Sequence, residues 1–374
     1  MTEEGFSGLA PPSSCSAGEG EFRRILSNAS KHHIPRGHIP NMIPDLSETA
    51  KQLIRQRDFY RSHLPTSPNI RMLDEQINQE IYNTNRQTWI HKVESCSHKY
   101  NTSQYFSLLK SLSGKHISIP PNQPIAFQNK TLTRNREIAI AFNKQFTSTV
   151  PHSTDPMARL VKRRLNKMRP LDTNLNLFST DLVSQAIRKS GNSRAAGPDG
   201  FTNLHLKHLG PLGLQYLTDL FNLSFNHADI PSIWKLAIVF PLLKAGKPAD
   251  LGPNYRPISL LCPAAKVLER LLLPELNTLP FSPNQHGFRR NRSTTTALLP
   301  LTHQVAQGFN QPRPPHRTVT MSIDLSKAFD MVNHTKLISS LTDTSLRNNT
   351  VRWLSAYFKG RVASWQYNHY TSPQ

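Results

Sequence analysis

One stretch near the C-terminus constrains the fold most, because its side chains alternate between apolar and polar. In residues 318–325 the apolar side chains at every second position are separated by threonine, serine and finally Asp324. This alternation predicts a β-strand with one buried face. A carboxylate at the end of a rigid strand is fixed before an ion arrives, which suits a divalent metal. The competing interpretation is that Asp324 only ends the strand or caps the segment that follows.

The charge of the chain indicates a polyanionic partner. Its 374 residues include 45 Lys and Arg against 24 Asp and Glu, which gives a formal net charge of +21. Nucleic acid is the commonest partner of such a basic protein. An anionic membrane surface is the alternative, but no apolar run approaches ~18 residues and no signal-peptide pattern is present. We therefore predict a nucleic-acid partner and no membrane association.

The cysteines indicate an intracellular, reducing compartment. Cys15, Cys96 and Cys262 lie far apart and form no C-x-x-C pair. This spacing argues against a disulfide framework and against a cysteine zinc site. The nucleus and the cytoplasm both fit this pattern.

The first half of the chain divides by composition into three regions. Residues 1–45 are rich in Ser, Gly and Pro and are predicted to form a flexible leader. Residues 46–115 carry apolar side chains at helical spacing with basic residues between them, which predicts a helical, basic linker region. Residues 116–180 are predicted to be a connector. It contains a basic run, residues 162–169, that fits either a site for a phosphate backbone, a nuclear import signal or an exposed basic helix.

Turn and strand signals become dense after residue 181. Residues 196–200 read Ala-Gly-Pro-Asp-Gly, a turn signal because Pro presets φ and Gly permits positive φ. Alternation over residues 234–240 predicts a strand that leaves Lys244 in the loop beyond it. A second predicted strand, residues 255–261, carries Arg256 at its start.

Taken in order, these segments resemble the reverse transcriptase domain of non-LTR (LINE-type, jockey-like) retrotransposons. The resemblance spans about residues 181–341, and one segment alone would be weak. The segments that carry it are Ala196-Gly197-Pro198-Asp199-Gly200, Pro231-Ser232-Ile233-Trp234-Lys235 with Pro241-Leu242-Leu243-Lys244, Asn254-Tyr255-Arg256-Pro257-Ile258-Ser259-Leu260-Leu261, Gln285-His286-Gly287-Phe288-Arg289 and Asp324-Leu325-Ser326-Lys327-Ala328-Phe329-Asp330.

The resemblance implies an α+β fold, an incomplete right-hand polymerase preceded by a mainly helical linker region. Residues 181–315 would form the reverse transcriptase fingers, and residues 316–374 a partial, truncated palm. The implied activity is RNA-directed DNA polymerisation by two-metal nucleotidyl transfer. Its partners would be an RNA template, a DNA primer and dNTPs, and the oligomeric state is left open.

The resemblance also implies a metal site with two Mg²⁺ ions. Asp324 corresponds to the first palm aspartate of the family, so it would be the catalytic carboxylate and a metal ligand. Leu325 would lend its backbone carbonyl to a metal.

Further residues correspond to positions that bind nucleotide or template. Lys244 and Arg256 would neutralise the incoming triphosphate. Phe329 would pack under the sugar and exclude a 2′-hydroxyl, or would simply anchor the helix predicted after the strand. Arg289 would lie along the template or stabilise the fingers.

The chain departs from the family pattern at the palm. It contains no Asp-Asp pair, whereas the family carries two further carboxylates in an aromatic-Ala-Asp-Asp element. Losing most of a metal clamp costs more than the ~10²–10³ in rate that one electrostatic stabiliser is worth. We therefore expect a fragment that is inactive alone. The alternative function is a non-catalytic RNA- or DNA-binding remnant of a mobile element.

Overall fold

The computed structural model divides into two compact units, residues 36–120 and the remainder of the chain. The residues whose structure is described are 3–33, 46–64, 67–94, 124–127, 130–147, 156–192, 195–312, 314, 316–325, 328–329, 331–368 and 370–372.

The smaller unit is built on two helices, α3 (Glu48–His63) and α4 (Asn69–Glu94), which pack against each other. Ser47 caps α3 by accepting a hydrogen bond from the amide of Ala50, and it also donates to Glu80 of α4 at 2.8 Å. Both helices fall in the region for which basic helices are predicted.

The N-terminal segment differs from its prediction as a flexible leader. It forms α1 (Glu3–Phe6) and α2 (Cys15–His33), and α2 packs on a later helix, α9 (Pro211–His227). Phe22, Ile25 and Leu26 are buried at this contact. The glycine content that suggested flexibility serves packing instead, because a Cβ on Gly18 would lie 3.1 Å from the side chain of Leu220.

Helix α9 forms the centre of the larger unit. Leu217, Leu220, Phe221 and Phe225 have no exposed surface and join one hydrophobic core. The other helices are α5 (Asn135–Thr147), α6 (Pro156–Lys167), α7 (Thr180–Arg188), α8 (Asn203–Lys207), α10 (Ser232–Lys235), α11 (Pro263–Leu276), α12 (Thr294–Phe309), α13 (His334–Thr342) and α14 (Asn348–Phe358).

Three buried asparagines hold an irregular segment, residues 172–178, against this core. Asn222 pairs with both backbone groups of Phe178, at 3.0 and 2.9 Å. Asn349 pairs in the same way with Asp172, and the amide of Asn226 donates to two carbonyls of the segment. These side chains replace the strand partner that the segment lacks among the described residues.

The main sheet has four strands in the order β4-β3-β5-β6. Strands β3 (Leu236–Leu243) and β4 (Tyr255–Leu260) are antiparallel, and β3 is parallel to β5 (Val362–Tyr367). The short β6 (Tyr370–Thr371) pairs with β5. A separate antiparallel pair is formed by β1 (Ile125–Phe127) and β2 (Lys130–Leu132).

The strand predicted for residues 318–325 is wrong for this structure. Residues 316–325 have no regular secondary structure, and the side chains of Val319 and Ile323 are 91% and 79% exposed. Alternation only makes a strand possible, since the strand also needs a hydrogen-bonding neighbour and an apolar surface to cover. No strand that the structure describes pairs with this stretch.

Candidate active site

The β3–β4 hairpin brings two predicted site residues to one end of the sheet. Leu242 pairs with Arg256, and Lys244 donates its backbone N–H to the carbonyl of Asn254 at 2.9 Å. Paired residues project to the same face of an antiparallel sheet, as do residues two apart on one strand. Lys244 and Arg256 therefore share the outer face of the hairpin end, while Tyr255 is buried on the other face.

The loop that follows Lys244 is braced by its own hydrogen bonds. The ammonium of Lys244 donates to the carbonyl of Pro253 at 2.8 Å, and Asn254 donates to the carbonyl of Pro248 at 2.9 Å. The hydroxyl of Tyr255 donates to the carbonyl of Ala249 at 2.7 Å. The bonds of Asn254 and Tyr255 fix the loop, and the bond to Pro253 fixes the ammonium group of Lys244.

The Ala-Gly-Pro-Asp-Gly segment forms the predicted turn and packs directly behind the hairpin. Gly200 donates to the carbonyl of Gly197 at 3.0 Å and has a φ of +79°. A carboxyl oxygen of Asp199 accepts from the amide of Phe201 at 3.2 Å. Burial raises the pKa of Asp199, which also contacts Cys262 just after β4. The turn is therefore fixed against the start of α11.

Arg289 stabilises the loop in which it lies. Its guanidinium donates to the carbonyls of Ser282 and Gln285, at 2.9 and 3.4 Å, and lies 5.9 Å from the ring centroid of Phe281. His286 bonds Thr296 near the N-terminus of α12 at 2.9 Å. These contacts lie within the loop and at the start of α12, and both predicted roles of Arg289, along the template or in stabilising the fingers, stay predictions.

Phe329 meets an aromatic residue for which sequence reasoning gave no role. Its ring lies 5.8 Å from that of Phe288, edge to face at 89°. Phe288 is 92% exposed and has a left-handed φ of 59°, which is costly for a bulky side chain. The sequence signal that could have drawn attention to Phe288 was its position between a glycine and an arginine. The contact brings the Gly-Phe-Arg loop next to the segment that follows Asp324.

Asp324 and Leu325 do not by themselves form a metal site. Both residues are exposed, and no hydrogen bond or ion pair between described residues joins Asp324 to Lys244, Arg256 or Phe329. Within the described ranges, no cluster of three or more His, Cys, Asp or Glu is arranged to hold a metal. Magnesium requires six oxygen ligands in near-octahedral geometry. Protein carboxylates supply only one or two of these ligands, and substrate phosphates and waters supply the rest. Asp324 and the carbonyl of Leu325 could therefore provide part of such a site, but further carboxylates are needed to hold two ions.

The structure thus assembles the candidate site only in part. It puts Lys244 and Arg256 on one face at the same end of the β3–β4 hairpin, and it brings Phe329 to Phe288 in the loop of Arg289. It does not bring Asp324 into contact with either pair among the described residues. Three motif residues lie outside those residues, namely Ser326, Lys327 and Asp330.

The described helices offer no transmembrane segment. None of them combines the length and the apolar composition that crossing a bilayer requires.

Comparison with known proteins finds one matching family and several similar proteins. Residues 245–374 match the family described as Reverse transcriptase (RNA-dependent DNA polymerase). The Probable RNA-directed DNA polymerase from transposon BS of Drosophila melanogaster is 26% identical over 309 residues, which cover 79% of this chain and 34% of that relative. The corresponding protein of transposon X-element is 30% identical over 203 residues, 53% of this chain and 22% of that relative.

A third relative is the RNA-directed DNA polymerase from mobile element jockey of Drosophila melanogaster, 28% identical over 193 residues. Those residues cover 50% of this chain and 21% of that relative. This chain therefore spans about a third or less of the length of these relatives. The resemblance carried by the motifs is confirmed. Residues 245–374 match the reverse transcriptase family, and the chain is related to the RNA-directed DNA polymerases of jockey-like, non-LTR retrotransposons.

Proposed function

We propose that this chain is part of an RNA-directed DNA polymerase, with fingers in residues 181–315 and a partial palm in residues 316–374. Its partners are an RNA template, a DNA primer and dNTPs. The observation that carries the proposal is the β3–β4 hairpin, in which Lys244 and Arg256 lie on one face near the same end of the sheet. The family match, which includes Arg256, supports it.

Each site residue has a role in this proposal. Arg256 presents a planar fork and Lys244 a compact charge to the triphosphate of the incoming nucleotide. Phe329 lies beside the sugar, and its contact with Phe288 sets its position. Asp324 and the carbonyl of Leu325 contribute part of a metal-ligand set that further carboxylates must complete.

Primer extension tests the proposal. The chain is joined at Gln374 to the C-terminal remainder of the transposon BS relative and is incubated with poly(rA), oligo(dT), labelled dTTP and Mg²⁺. We expect labelled DNA, and a decrease of ~10²-fold or more on Asp324→Asn, because an essential electrostatic group is lost. Asp181→Asn, which removes an exposed carboxylate elsewhere, is the matched control and should leave incorporation unchanged.

The same assay tests the chain without the added segment. We expect no incorporation, because the printed sequence contains no Asp-Asp pair. Incorporation by the unjoined chain that Asp324→Asn abolishes would contradict this expectation. Incorporation by the joined protein that Asp324→Asn leaves intact would contradict the role of Asp324.

A second candidate function is a non-catalytic RNA- or DNA-binding remnant, which the net charge of +21 favours. Metal dependence separates the two functions. A remnant would bind template equally with Mg²⁺ and with EDTA, whereas dNTP binding at a polymerase site would require the metal. The test measures binding of labelled dNTP to the complex of the chain with template, with and without Mg²⁺. Binding that requires Mg²⁺ supports the polymerase, and template binding without any dNTP binding supports the remnant.

The two cysteines among the described residues agree with action inside the cell. Cys15 and Cys262 are buried free thiols. Burial raises the pKa of both thiols, that of Cys15 to about 12, so neither is a reactive thiolate at neutral pH. This agrees with the nucleus or cytoplasm predicted from the sequence.

A further inference from the structure

Helix α6 presents a row of cations on its outer face. Arg159, Lys162, Arg163 and Lys167 are all exposed. At 3.6 residues per turn they fall within an arc of about 140° on the helix, and from the first to the last they span about 12 Å. The helix contains no acidic residue. The row is therefore a continuous positive stripe.

The opposite face of α6 fixes the helix to the rest of the unit. Val161 is buried in the main hydrophobic core, and Leu165 packs against that core. Arg164 donates to Asp343 at 2.6 Å and to the carbonyl of Ser339 at 3.3 Å, near the end of α13. The stripe is therefore presented by a helix whose rotation is fixed.

Arg352 of α14 holds the C-terminal end of α6. Its guanidinium donates to the carbonyls of Leu165, Met168 and Arg169, at 2.7, 3.2 and 3.4 Å. Cations near the last carbonyls of a helix satisfy otherwise unpaired acceptors and interact favourably with its dipole. The inward cations of this region thus have partners within the protein.

The outward cations differ in this respect. Among the described residues, no carboxylate forms an ion pair with Arg159, Lys162, Arg163 or Lys167, although Arg164 of the same helix has one. Four like charges on one face repel one another, which an external polyanion would relieve. The charges of the stripe are therefore available to a ligand.

The ligand must bind through the cations alone, because the exposed side of α6 offers it no sizeable apolar face. A helix that lies on a membrane surface inserts its apolar side among the lipids. Val161 of α6 is in the core and Leu165 packs against it, whereas Leu160 is exposed. One exposed leucine is too small an apolar face for insertion among lipids. A row of cations alone fits the phosphates of a nucleic-acid strand, which binds through charge and released counterions.

We propose that the outer face of α6 binds the phosphodiester backbone of a single-stranded nucleic acid, outside the matched segment 245–374. This inference rests on the proposed function only for the class of partner. It requires no metal, primer or dNTP, so its failure and the failure of the polymerase proposal are separable.

Binding in EDTA tests the proposal. The full chain is titrated against fluorescein-labelled U20 RNA and dT20 DNA, and anisotropy is followed at several salt concentrations. The test variant carries Arg159→Gln, Lys162→Gln, Arg163→Gln and Lys167→Gln. The control variant removes four exposed lysines from other elements of the same unit, as Lys130→Gln, Lys144→Gln, Lys189→Gln and Lys266→Gln.

We expect the test variant to bind U20 about 10- to 100-fold more weakly than the control variant at physiological salt. The slope of log K against log salt should fall by about 3, since each phosphate contact on a single strand contributes ~0.7. RNA and DNA should respond alike, because phosphate contacts do not read the 2′-hydroxyl. Equal U20 affinity of the two variants would overturn the proposal.

Two further measurements keep the result decisive if the test variant folds poorly. A charge-preserving variant, with Arg159→Lys, Lys162→Arg, Arg163→Lys and Lys167→Arg, should retain the affinity for U20 to within about threefold, because the interaction is electrostatic. Loss of binding in this variant, with an unchanged circular dichroism spectrum, would contradict the proposal. A second measurement is sedimentation with phosphatidylcholine vesicles that contain phosphatidylserine. The proposal would also be contradicted if the four substitutions of the test variant abolished sedimentation with these vesicles but left U20 binding unchanged.

Discussion

At Gly197 the chain passes so close to another segment that no side chain fits. A Cβ at this position would lie 2.6 Å from the carbonyl oxygen of Leu261 and 2.8 Å from the Cα of Cys262. Both atoms belong to the backbone, so neither can turn away. The glycine of the Ala-Gly-Pro-Asp-Gly motif is therefore needed to bring the turn against the end of β4 and the start of α11.

We predict that Gly197→Ala lowers the free energy of unfolding by about 1–3 kcal/mol, because backbone segments must move apart. Gly191→Ala is the control, since an added Cβ there meets nothing within 4 Å. Urea unfolding of the two variants gives the comparison. Equal stability of Gly197→Ala and Gly191→Ala would show that the approach of Gly197 to Leu261 is looser than described.

At the scale of elements, helix α14 starts without a capping side chain of its own. Arg347 occupies the N-cap position and makes no side-chain cap. Glu275 of α11 takes this role, since its carboxylate accepts from the backbone N–H of Arg347 at 2.8 Å and from the hydroxyl of Thr350 at 2.7 Å. A carboxylate at a helix N-terminus is favourable because it meets unpaired N–H groups and the positive end of the dipole.

We predict that Glu275→Ala destabilises the protein by about 1–2 kcal/mol, the usual effect of losing an N-cap. Arg347→Ala is the matched control. It removes the 3.4 Å ion pair but keeps the backbone N–H that Glu275 accepts from, and the arginine side chain is half exposed. Exposed pairs contribute little, so we expect a change below about 0.5 kcal/mol. A larger effect of Arg347→Ala than of Glu275→Ala in thermal unfolding would contradict the capping role.

For the larger unit as a whole, the N-terminal helix α2 carries a buried carboxyl group into the fold. Glu19 is 5% exposed and lies 3.6 Å from Arg23. Burial raises the pKa of Glu19 to about 7; Arg23 opposes the rise and Asp199 adds to it. Because the folded protein disfavours the ionised form, its stability relative to the unfolded chain falls as pH rises from about 4.5 to about 7.

We predict that Glu19→Gln removes this part of the pH dependence. The variant should match the original chain near pH 4.5 and exceed its stability at pH 8, by at most about 3 kcal/mol. Glu21→Gln is the control with the opposite sign, because a hydrogen bond from Arg24 lowers the pKa of Glu21. Thermal unfolding at both pH values measures the difference. A constant gap between Glu19→Gln and the original chain would exclude a titrating Glu19.

The sequence by itself determined the parts of this protein that depend on short-range rules. The Ala-Gly-Pro-Asp-Gly turn follows from the φ preferences of Pro and Gly. Alternation over residues 234–240 indicates a strand, but β3 begins only at Leu236, because Trp234 lies in the short helix α10. The motif order was sufficient to identify the reverse transcriptase family, because each motif is local. The charge of +21 gave the class of partner.

The tertiary structure decided everything that depends on a neighbour. Residues 318–325 alternate like a strand, yet they lie exposed because no described strand pairs with them, and Asp324 consequently remains outside the hairpin site. Residues 15–33 look flexible in composition, yet they form a helix because α9 offers an apolar surface to Phe22 and Leu26. Burial, pairing and the partner of each cation arise from contacts between distant residues, and local pattern does not specify them.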